Sequence, residues 1–146
     1  MPPRRSSSTE ANAHELMRAM GVLLRRVRGE SAGREGPSWS QAAAMARLDK
    51  GGPMTTAELA RTERVKPQSM GALLAELEQD GLVRRERHPT DGRQILFSLT
   101  EAGVQERRRR QAAKLAWLTA AIDRFDAEER RTLAAAIELV KRLGES

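Results

Sequence analysis

The feature that most constrains the fold is a proline that follows a short helix with a strong start signal. Thr55 and Glu58 have the spacing of a capping box, in which the two side chains cap the first turn of a helix. That helix cannot continue beyond Lys66, because Pro67 disfavours the helical region in the residue before it. Pro67 suits the first position of a new helix, where its missing N–H has no partner to lose. The sequence therefore predicts two short helices joined by a sharp turn.

The second of these helices has one apolar face and a glycine stop. Its apolar residues Met70, Leu73, Leu74 and Leu77 lie three and four positions apart, which is the helical period. Met70, Leu74 and Leu77 are predicted to lie in the core. Gly81 can take the left-handed conformation just beyond a helix end. Two short helices joined by a tight turn form a helix-turn-helix, and its second helix is the reading helix.

A β-hairpin is predicted directly after the reading helix. Its first strand begins at Leu82, and Ile95, Phe97 and Leu99 recur at every second position of its other strand. The intervening residues 88–93 are types that tolerate tight turns. The hairpin carries several arginines, so that the unit is predicted to be a winged helix-turn-helix with a basic wing.

Three segments of the chain together have a recognisable pattern: Leu59-Ala60 through Asp80-Gly81-Leu82-Val83, then Asp91-Gly92-Arg93, and Leu99-Thr100-Glu101-Ala102-Gly103. In sequence and spacing they resemble the MarR family of bacterial repressors. Helices before and after the unit match as well, so that the similarity covers nearly the whole chain. The resemblance implies a mainly α fold with a small β-hairpin wing, in which a winged helix-turn-helix core is flanked by N- and C-terminal dimerisation helices.

A tail and two helices are predicted on the N-terminal side of the unit. Residues 1–8 are rich in Pro, Arg and Ser and are predicted to be disordered. An amphipathic helix follows over about residues 9–28. Ser38 and Gln41 repeat the capping-box spacing, so that another helix is predicted over about residues 39–50.

Two helices are predicted on the C-terminal side. A long one begins at Glu101 and reaches about Arg124, and a capping box of Asp126 and Glu129 opens the last one. No linker or repeat separates the segments, so that one domain is predicted. This domain spans residues 9–146. It contains a winged helix DNA-binding region at 38–100 and dimerisation helices at 9–30 and 101–146.

The composition favours a soluble, cytoplasmic protein with a polyanionic partner. The chain of 146 residues carries a net charge of +6, and 22 of its 26 basic residues are Arg, which contacts phosphate and guanine in a bidentate manner. The absence of cysteine excludes disulfides and thiolate metal sites. No apolar run is long enough for a membrane span or a signal peptide. The few aromatic residues argue against recognition of single strands by stacking.

An enzyme is not predicted. The sequence has no glycine-rich phosphate loop, no nucleophile motif and no acid pair framed by histidine. The two histidines, His14 and His88, are 74 residues apart, so that neither a metal site nor any cofactor is expected.

The N-terminal end of the reading helix is predicted to enter the major groove. Gln68 is the best base reader, since its amide offers adenine one donor and one acceptor. Ser69 suits a base or a phosphate, and Lys66 suits a phosphate. At Gly71 and Ala72 many family members carry a hydroxyl residue and an Arg, so that base readout here is expected to be sparse. Ordinary helix-surface polarity is the alternative for Gln68 and Ser69. The predicted set is Lys66, Pro67, Gln68, Ser69, Gly71 and Ala72.

Arg93 is the central prediction in the wing. A guanidinium at a hairpin tip is attracted into the narrow minor groove by its negative potential. Asp91 can hold that guanidinium by a bidentate pair, and the resemblance implies both roles. Arg85 and Arg87 are predicted to approach phosphates, with His88 as a further candidate. A solvated strand residue is the alternative for Arg87 and His88.

Other charged residues are predicted to have no part in DNA binding. Glu76, Glu78 and Asp80 lie at the far end of the reading helix, where acids away from the groove do not weaken binding. The run from Arg107 to Arg110 looks like a nucleic-acid patch. Four consecutive residues circle a helix, so that a solvated face is predicted for this run.

The terminal helices carry more apolar residues than a small winged helix core requires, which predicts burial against a second copy. In the family, the two ends of the chain interlock with those of a partner subunit. A two-fold dimer presents two reading helices about one DNA turn, ~34 Å, apart. The predicted dimer residues are Leu16, Met20, Leu115, Leu118, Ile122, Leu133, Ile137 and Val140.

A ligand site is implied by the resemblance alone. Many family members release DNA when a small, often phenolic or lipophilic anion lodges between the dimer helices and the reading unit. The candidates here are His14, Met17, Arg18, Trp39 and Met45. The alternative for a Met or a Trp at helical spacing is a core position.

The predicted function is that of a sequence-specific regulator of transcription that binds double-stranded DNA. It is expected to be a homodimeric repressor that binds a pseudo-palindromic operator and is relieved by a small molecule. The alternative is a winged helix module that binds DNA without sequence preference or binds another protein. The sparse reading helix keeps this alternative open.

Overall fold

The computed structural model describes residues 5–31 and 36–146, with side chains for 8–30 and 36–146. Its mainly helical architecture with a small sheet confirms the predicted fold class. The elements in order are α1 (Arg5–Ser31), α2 (Trp39–Gly51), β1 (Met54–Thr55), α3 (Thr56–Thr62), α4 (Pro67–Gln79), β2 (Val83–Arg87), β3 (Ile95–Leu99), α5 (Glu101–Ile122) and α6 (Ala127–Gly144).

The chain divides into two compact units. The reading unit contains residues 31–112, and the terminal unit contains residues 1–30 and 113–146. Within the described part of the chain, no helix is both long enough and apolar enough to cross a membrane.

Three helices begin with the capping boxes that the sequence predicts. In each, the first side chain accepts a hydrogen bond from the N–H three residues on, and the second side chain accepts one from the N-cap N–H. Each such cap stabilises its helix by about 1 kcal/mol. The pairs are Ser38–Gln41 in α2, Thr55–Glu58 in α3 and Asp126–Glu129 in α6.

The turn between α3 and α4 is built on a strained arginine. Helix α3 ends at Thr62, earlier than the limit that Pro67 sets, and Arg64 takes a left-handed φ of 55°. The Val65 N–H then bonds to the Ala60 carbonyl at 2.9 Å. A left-handed conformation costs a residue with a Cβ roughly 1 kcal/mol. Pro67 is the first residue of α4, as predicted.

The sheet has one strand more than the sequence predicts. Strands β2 and β3 are antiparallel, with register from Val83↔Leu99 to Arg87↔Ile95. The additional strand β1 pairs with the other edge of β3, with Met54 opposite Phe97. Two residues are too short to show the alternation by which strands are recognised, which is why the sequence gives no sign of β1.

The core lies in the reading unit, between α2, α3, α4 and the sheet. It includes the three residues of the reading helix that the periodicity places there, Met70, Leu74 and Leu77. The opposite side of α4 is left exposed. The full core set is Ala44, Met45, Leu48, Leu59, Ala60, Met70, Leu74, Leu77, Val83 and Phe97.

The end of the reading helix, the base of the wing and the start of α5 meet at one point. Gly81, at φ 74°, ends α4 as predicted, and its carbonyl accepts the Thr100 hydroxyl at 2.6 Å. The Thr100 N–H bonds to the Leu82 carbonyl at 3.1 Å. A Cβ at Gly103 would lie 2.1 Å from that same Leu82 oxygen. Helix α5 therefore packs directly against the backbone of Leu82, a contact that only glycine at position 103 permits.

In the terminal unit, α1 is longer than predicted. It begins at Arg5 and ends at Ser31, so that the prediction of disorder over residues 1–8 is wrong for residues 5–8. Once a helix exists, each further residue adds a hydrogen bond without a new nucleation cost. Residues 1–4 of the predicted tail lie outside the described residues. None of the described side chains of the terminal unit is buried.

Candidate nucleic-acid interface

The first turn of α4 presents a row of exposed polar side chains. Lys66, Pro67, Gln68 and Ser69 are all exposed, while Met70 turns into the core. Lys66 is the N-cap and makes no side-chain capping bond. The first N–H groups of a helix attract anions. This end of the helix therefore offers donors to a phosphate and an amide to a base edge.

The next turn of α4 offers little to a base. Ala72 is exposed and Gly71 is half-buried, with open space around the position that a Cβ would take. Neither residue carries a polar group beyond its backbone. Gly71 and Ala72, where the sequence predicts little readout of bases, thus keep accessible surface but carry no side chain that could contact a base.

The wing tip is held by His88 and Asp91. The His88 Nδ1 accepts the N–H groups of Thr90 at 3.2 Å and Asp91 at 3.1 Å. The Asp91 carboxylate accepts the Arg93 N–H at 3.1 Å. His88, a candidate phosphate contact in the sequence, instead caps the turn through its ring.

The predicted pair between the Asp91 and Arg93 side chains is not present. Asp91 binds the Arg93 backbone instead, because an Asp side chain bonds readily to the N–H two residues on, at little entropic cost. The exposed Arg93 guanidinium has no ion pair with any described residue. The fixed backbone presents this arginine at the tip, and its charge remains available to a ligand.

Arg85 has a partner within the protein. Its Nε lies 2.8 Å from Oε2 of Glu78 on α4, and its guanidinium lies 5.5 Å from the centre of the Phe97 ring. The hydrogen bond from Arg85 to Glu78, and then the charge of Glu78, raise the pKa of Arg85 above its ordinary value. Arg85 thus links the wing to the reading helix, and its approach to phosphates stays a prediction. Arg87, by contrast, is exposed.

The acids of α4 and the arginine run on α5 also have structural partners. Glu76 accepts a hydrogen bond from Gln41 at 2.8 Å, and Glu78 accepts the one from Arg85. Arg110 is only 9% exposed and donates to the Pro37 carbonyl at 2.7 Å. The prediction of a solvated face is therefore wrong for Arg110, because α5 turns this residue toward the start of α2.

The cations of the reading unit divide into two groups. Six arginines are held by acceptors within the protein: Arg47 by Glu63, Arg84 by Glu86, Arg85 by Glu78, Arg107 by Asp49, Arg109 by Glu106 and Arg110 by the Pro37 carbonyl. Other cations have no ion pair with a described residue. These are Lys50, Arg61, Arg64, Lys66, Arg87, Arg93 and Arg108.

Five of these seven unpaired cations lie in the segment of α3, turn and α4 or in the wing. Sequence reasoning selected Lys66, Arg87 and Arg93 but missed Arg61 and Arg64. A signal was available for Arg64, since the turn of a helix-turn-helix often contains glycine and an arginine occupies that place here. Arg61 carries no distinguishing pattern. We refer to Arg61, Arg64, Lys66, Arg87 and Arg93 as the unpaired cation set.

The candidate ligand residues fall in different units. His14, Met17 and Arg18 are exposed on α1 of the terminal unit, where Arg18 borders a groove of about 460 Å³. Trp39 is exposed in the reading unit and borders a groove of about 300 Å³ beside the reading helix. Met45 is 1% exposed in the core, which fits the alternative interpretation for that residue.

The candidate dimer residues all retain accessible surface. Leu16, Leu118, Ile122 and Leu133 are half-buried, whereas Met20, Leu115, Ile137 and Val140 are exposed. They lie on the three helical segments of the terminal unit. Eleven of the fourteen exposed large apolar residues in the described chain belong to this unit.

Comparisons with known proteins agree with this geometry. The model of the MarR family matches residues 38–95, from the N-cap of α2 to the first residue of β3. An HTH-type transcriptional regulator of Mycobacterium leprae is 37% identical over 106 residues, which are 73% of this chain and 74% of that protein.

Solved structures share the fold. One from Pseudomonas aeruginosa PA01, described as a transcriptional regulator, is 32% identical with a TM-score of 0.81, over 95% of this chain and 97% of that one. An S. aureus MepR variant, bound to an oligodeoxyribonucleotide, is 16% identical with a TM-score of 0.68, over 99% of each chain. The chain belongs to the MarR family of transcriptional regulators, with the winged helix-turn-helix fold of DNA-binding proteins.

Proposed function

We propose that the protein is a homodimeric, sequence-specific repressor of transcription that acts in the cytoplasm without a cofactor. Each subunit places α4 in the major groove and its wing in the adjacent minor groove of a pseudo-palindromic operator. A small lipophilic or phenolic ligand relieves the repression. The protein catalyses no reaction in this role.

The placement of the unpaired cation set carries the proposal. A cation that already has a carboxylate partner gains little from a phosphate, whereas an unpaired one releases counterions from DNA when it binds. These cations cluster on the two parts of a winged helix that approach DNA. Gln68 and Ser69, exposed beside Lys66, add groups that recognise base edges.

The terminal unit supports the homodimer. A set of helices with no fully buried side chain among its described residues has withdrawn its apolar groups from water only in part. Burial of apolar surface contributes about 25 cal/mol per Å², so that a partner surface stabilises these helices. A second copy of the chain presents the same faces, and two-fold association is the commonest arrangement of identical subunits.

The test is an anisotropy titration of the DNA upstream of the protein's own coding sequence against a scrambled duplex, at two salt concentrations. We compare wild type, Arg93→Ala and the control Arg108→Ala, which removes an equal charge from α5. Wild type is expected to prefer the upstream duplex at both salt concentrations. Arg93→Ala should reduce this preference about tenfold, since one specific contact is worth about 1–3 kcal/mol, and Arg108→Ala should not.

A specific observation supports one alternative function. Gly71 and Ala72 give the middle of α4 no side chain that reaches a base, so that backbone contacts could dominate. An architectural, non-specific protein would bind both duplexes equally and with a steep dependence on salt. That outcome would rule out the specific repressor.

The homodimer is tested by light scattering on the eluting protein. Wild type is expected at twice the chain mass, and Ile137→Glu, which places a charge among exposed apolar residues, should shift it toward the monomer. Gln79→Glu adds the same charge at the end of α4 and should leave the dimer intact. A monomeric wild type would contradict the proposal.

The ligand is tested through the indole of Trp39, with Trp117→Phe removing the other indole from the signal. A phenolic compound that quenches this fluorescence and also displaces the upstream duplex would support relief by a ligand. Quenching without displacement would contradict it.

A further inference from the structure

A buried amide connects α2 to the reading helix. Gln41 is only 9% exposed and lies in the first turn of α2. Its Nε2 donates to Oε2 of Glu76 on α4 at 2.8 Å, and its Oε1 accepts the Ser38 N–H at 2.8 Å. One side chain therefore caps its own helix and also binds the neighbouring one.

The two bonds fix the orientation of this amide. If the amide flipped, its NH₂ group would face the Ser38 N–H and its oxygen would face the Glu76 carboxylate, so that both bonds would be lost. A buried polar group without partners costs about 1–3 kcal/mol. Gln41 therefore holds Glu76, and with it α4, at a defined position relative to the start of α2.

Helix α5 also holds the start of α2. Arg110 is as buried as Gln41 and donates through Nη1 to the carbonyl of the buried residue Pro37 at 2.7 Å. Pro37 immediately precedes Ser38, the N-cap of α2. A guanidinium always carries its charge and needs acceptors when it is buried. Arg110 thus anchors the segment on which the capping box and the Gln41 bond depend.

We propose that Gln41 is a positioning residue for DNA binding, which sets α4 through Glu76 on a segment that Arg110 anchors to α5. The inference rests on the proposed function and extends it to residues that lie away from the DNA-binding end of α4. Recognition of base edges depends on the positions of the side chains that contact them, and neighbouring residues hold those side chains in place. Loss of the Gln41 link should therefore reduce the preference among duplexes more than it reduces general affinity.

The decisive variant is Gln41→Glu. Glutamate is itself a capping-box residue, so that the cap on α2 is kept. Its carboxylate faces that of Glu76, so that an attractive link becomes a repulsive one. The control Gln79→Glu adds the same charge on exposed α4 surface. Gln41→Glu should lower the ratio of the affinities for the upstream and the scrambled duplex about tenfold, which lies within the range of coupling energies measured between residues in contact. Gln79→Glu should lower the same ratio less than twofold.

Exchange of the two groups provides the rescue. In the double variant Gln41→Glu with Glu76→Gln, the amide lies on α4 and the carboxylate on α2, so that the bond can form in the opposite sense. The ratio should then recover most of its wild-type value. The proposal is overturned if Gln41→Glu behaves like Gln79→Glu, or if the double variant does not recover.

Two further measurements distinguish the positioning role of Gln41 from misfolding of the variant and from failure of the proposed function. If Gln41→Glu does not fold, as judged by circular dichroism, Glu76→Ala removes the acceptor from the exposed side and should lower the ratio about threefold; an unchanged ratio overturns the proposal. If wild type shows no preference for the upstream duplex, the proposed function fails. The positioning role is then decided by affinity at low salt, and it is overturned if Gln41→Glu and Gln79→Glu bind equally.

Discussion

The Nε atom of Arg85 lies 2.8 Å from Oε2 of Glu78, so that the first strand of the wing is bound to the last turns of the reading helix. Both side chains are accessible to solvent. The pair joins the two elements that we propose contact DNA. The Glu78 carboxylate also neutralises one positive charge of the wing.

Removal of this acid should strengthen non-specific binding. Glu78→Gln releases the Arg85 guanidinium, which can then contact a phosphate. The plot of log affinity against log salt for a scrambled duplex should steepen by about one unit. Asp123→Asn changes the net charge equally on an exposed residue of the terminal unit and should leave the slope unchanged. A slope that does not steepen would show that Arg85 does not reach DNA.

Arg64 should affect stability and DNA affinity in opposite directions. Asparagine tolerates the left-handed conformation better than arginine does, so that Arg64→Asn should stabilise the fold by up to about 1 kcal/mol. The same change removes an unpaired cation beside α4, which should weaken binding to any duplex and reduce the salt slope by about one unit. Urea unfolding and anisotropy measure the two effects. In the control Arg108→Asn, the free energy of unfolding and the DNA affinity should both change less. A loss of stability in Arg64→Asn would show that the left-handed conformation of Arg64 is not strained.

Gly103→Ala should be strongly destabilising. The added methyl would lie 2.1 Å from the Leu82 carbonyl oxygen, and this backbone atom cannot turn away as a side chain would. Overpacking of this kind costs about 3 kcal/mol in the free energy of unfolding. Gly71→Ala is the matched control, because it is also helical but has open space, and it should stabilise by about 0.5–1 kcal/mol. Equal effects of the two changes on urea unfolding would contradict the close contact.

Glu106 should make stability depend on acid pH. Arg109 donates two hydrogen bonds to its carboxylate, at 2.7 and 3.0 Å, and these hold the pKa of Glu106 below its ordinary value of 4.5. Because the folded state lowers this pKa, the stabilisation is present above the ordinary value and is lost as pH falls through the lowered one. The difference in unfolding free energy between wild type and Glu106→Gln should shrink in that interval. A difference that stays constant across this interval would contradict the stabilising pair of Glu106 and Arg109.

The features predicted correctly from the sequence depend on neighbours in the chain. The capping boxes, the start of α4 at Pro67 and the end at Gly81 each involve residues within four positions of one another. The periodicity of α4 likewise identified Met70, Leu74 and Leu77 as core. Such local rules hold here because the surrounding structure agrees with them.

The features that the sequence did not reveal depend on distant partners. Arg107 and Asp49 are separated by 58 positions, and Arg110 and Pro37 by 73. Whether an arginine is free to bind DNA depends on contacts of this kind, so that the burial of Arg110 was not predictable. Arg85 and Glu78 are only seven positions apart, but they lie on different elements, so that their pairing depends on how the wing packs against the reading helix. The short strand β1 likewise exists only because β3 offers it an edge.

The point where Gly81, Leu82, Thr100 and Gly103 meet has a consequence for how the protein can release DNA. Backbone contacts of this kind cannot slide past one another, so that the far end of the reading helix, the base of the wing and the start of α5 share a single pivot. We therefore expect the reading helix and the wing, which we propose bind adjacent grooves of DNA, to move together. Both elements should then leave the DNA in a single step.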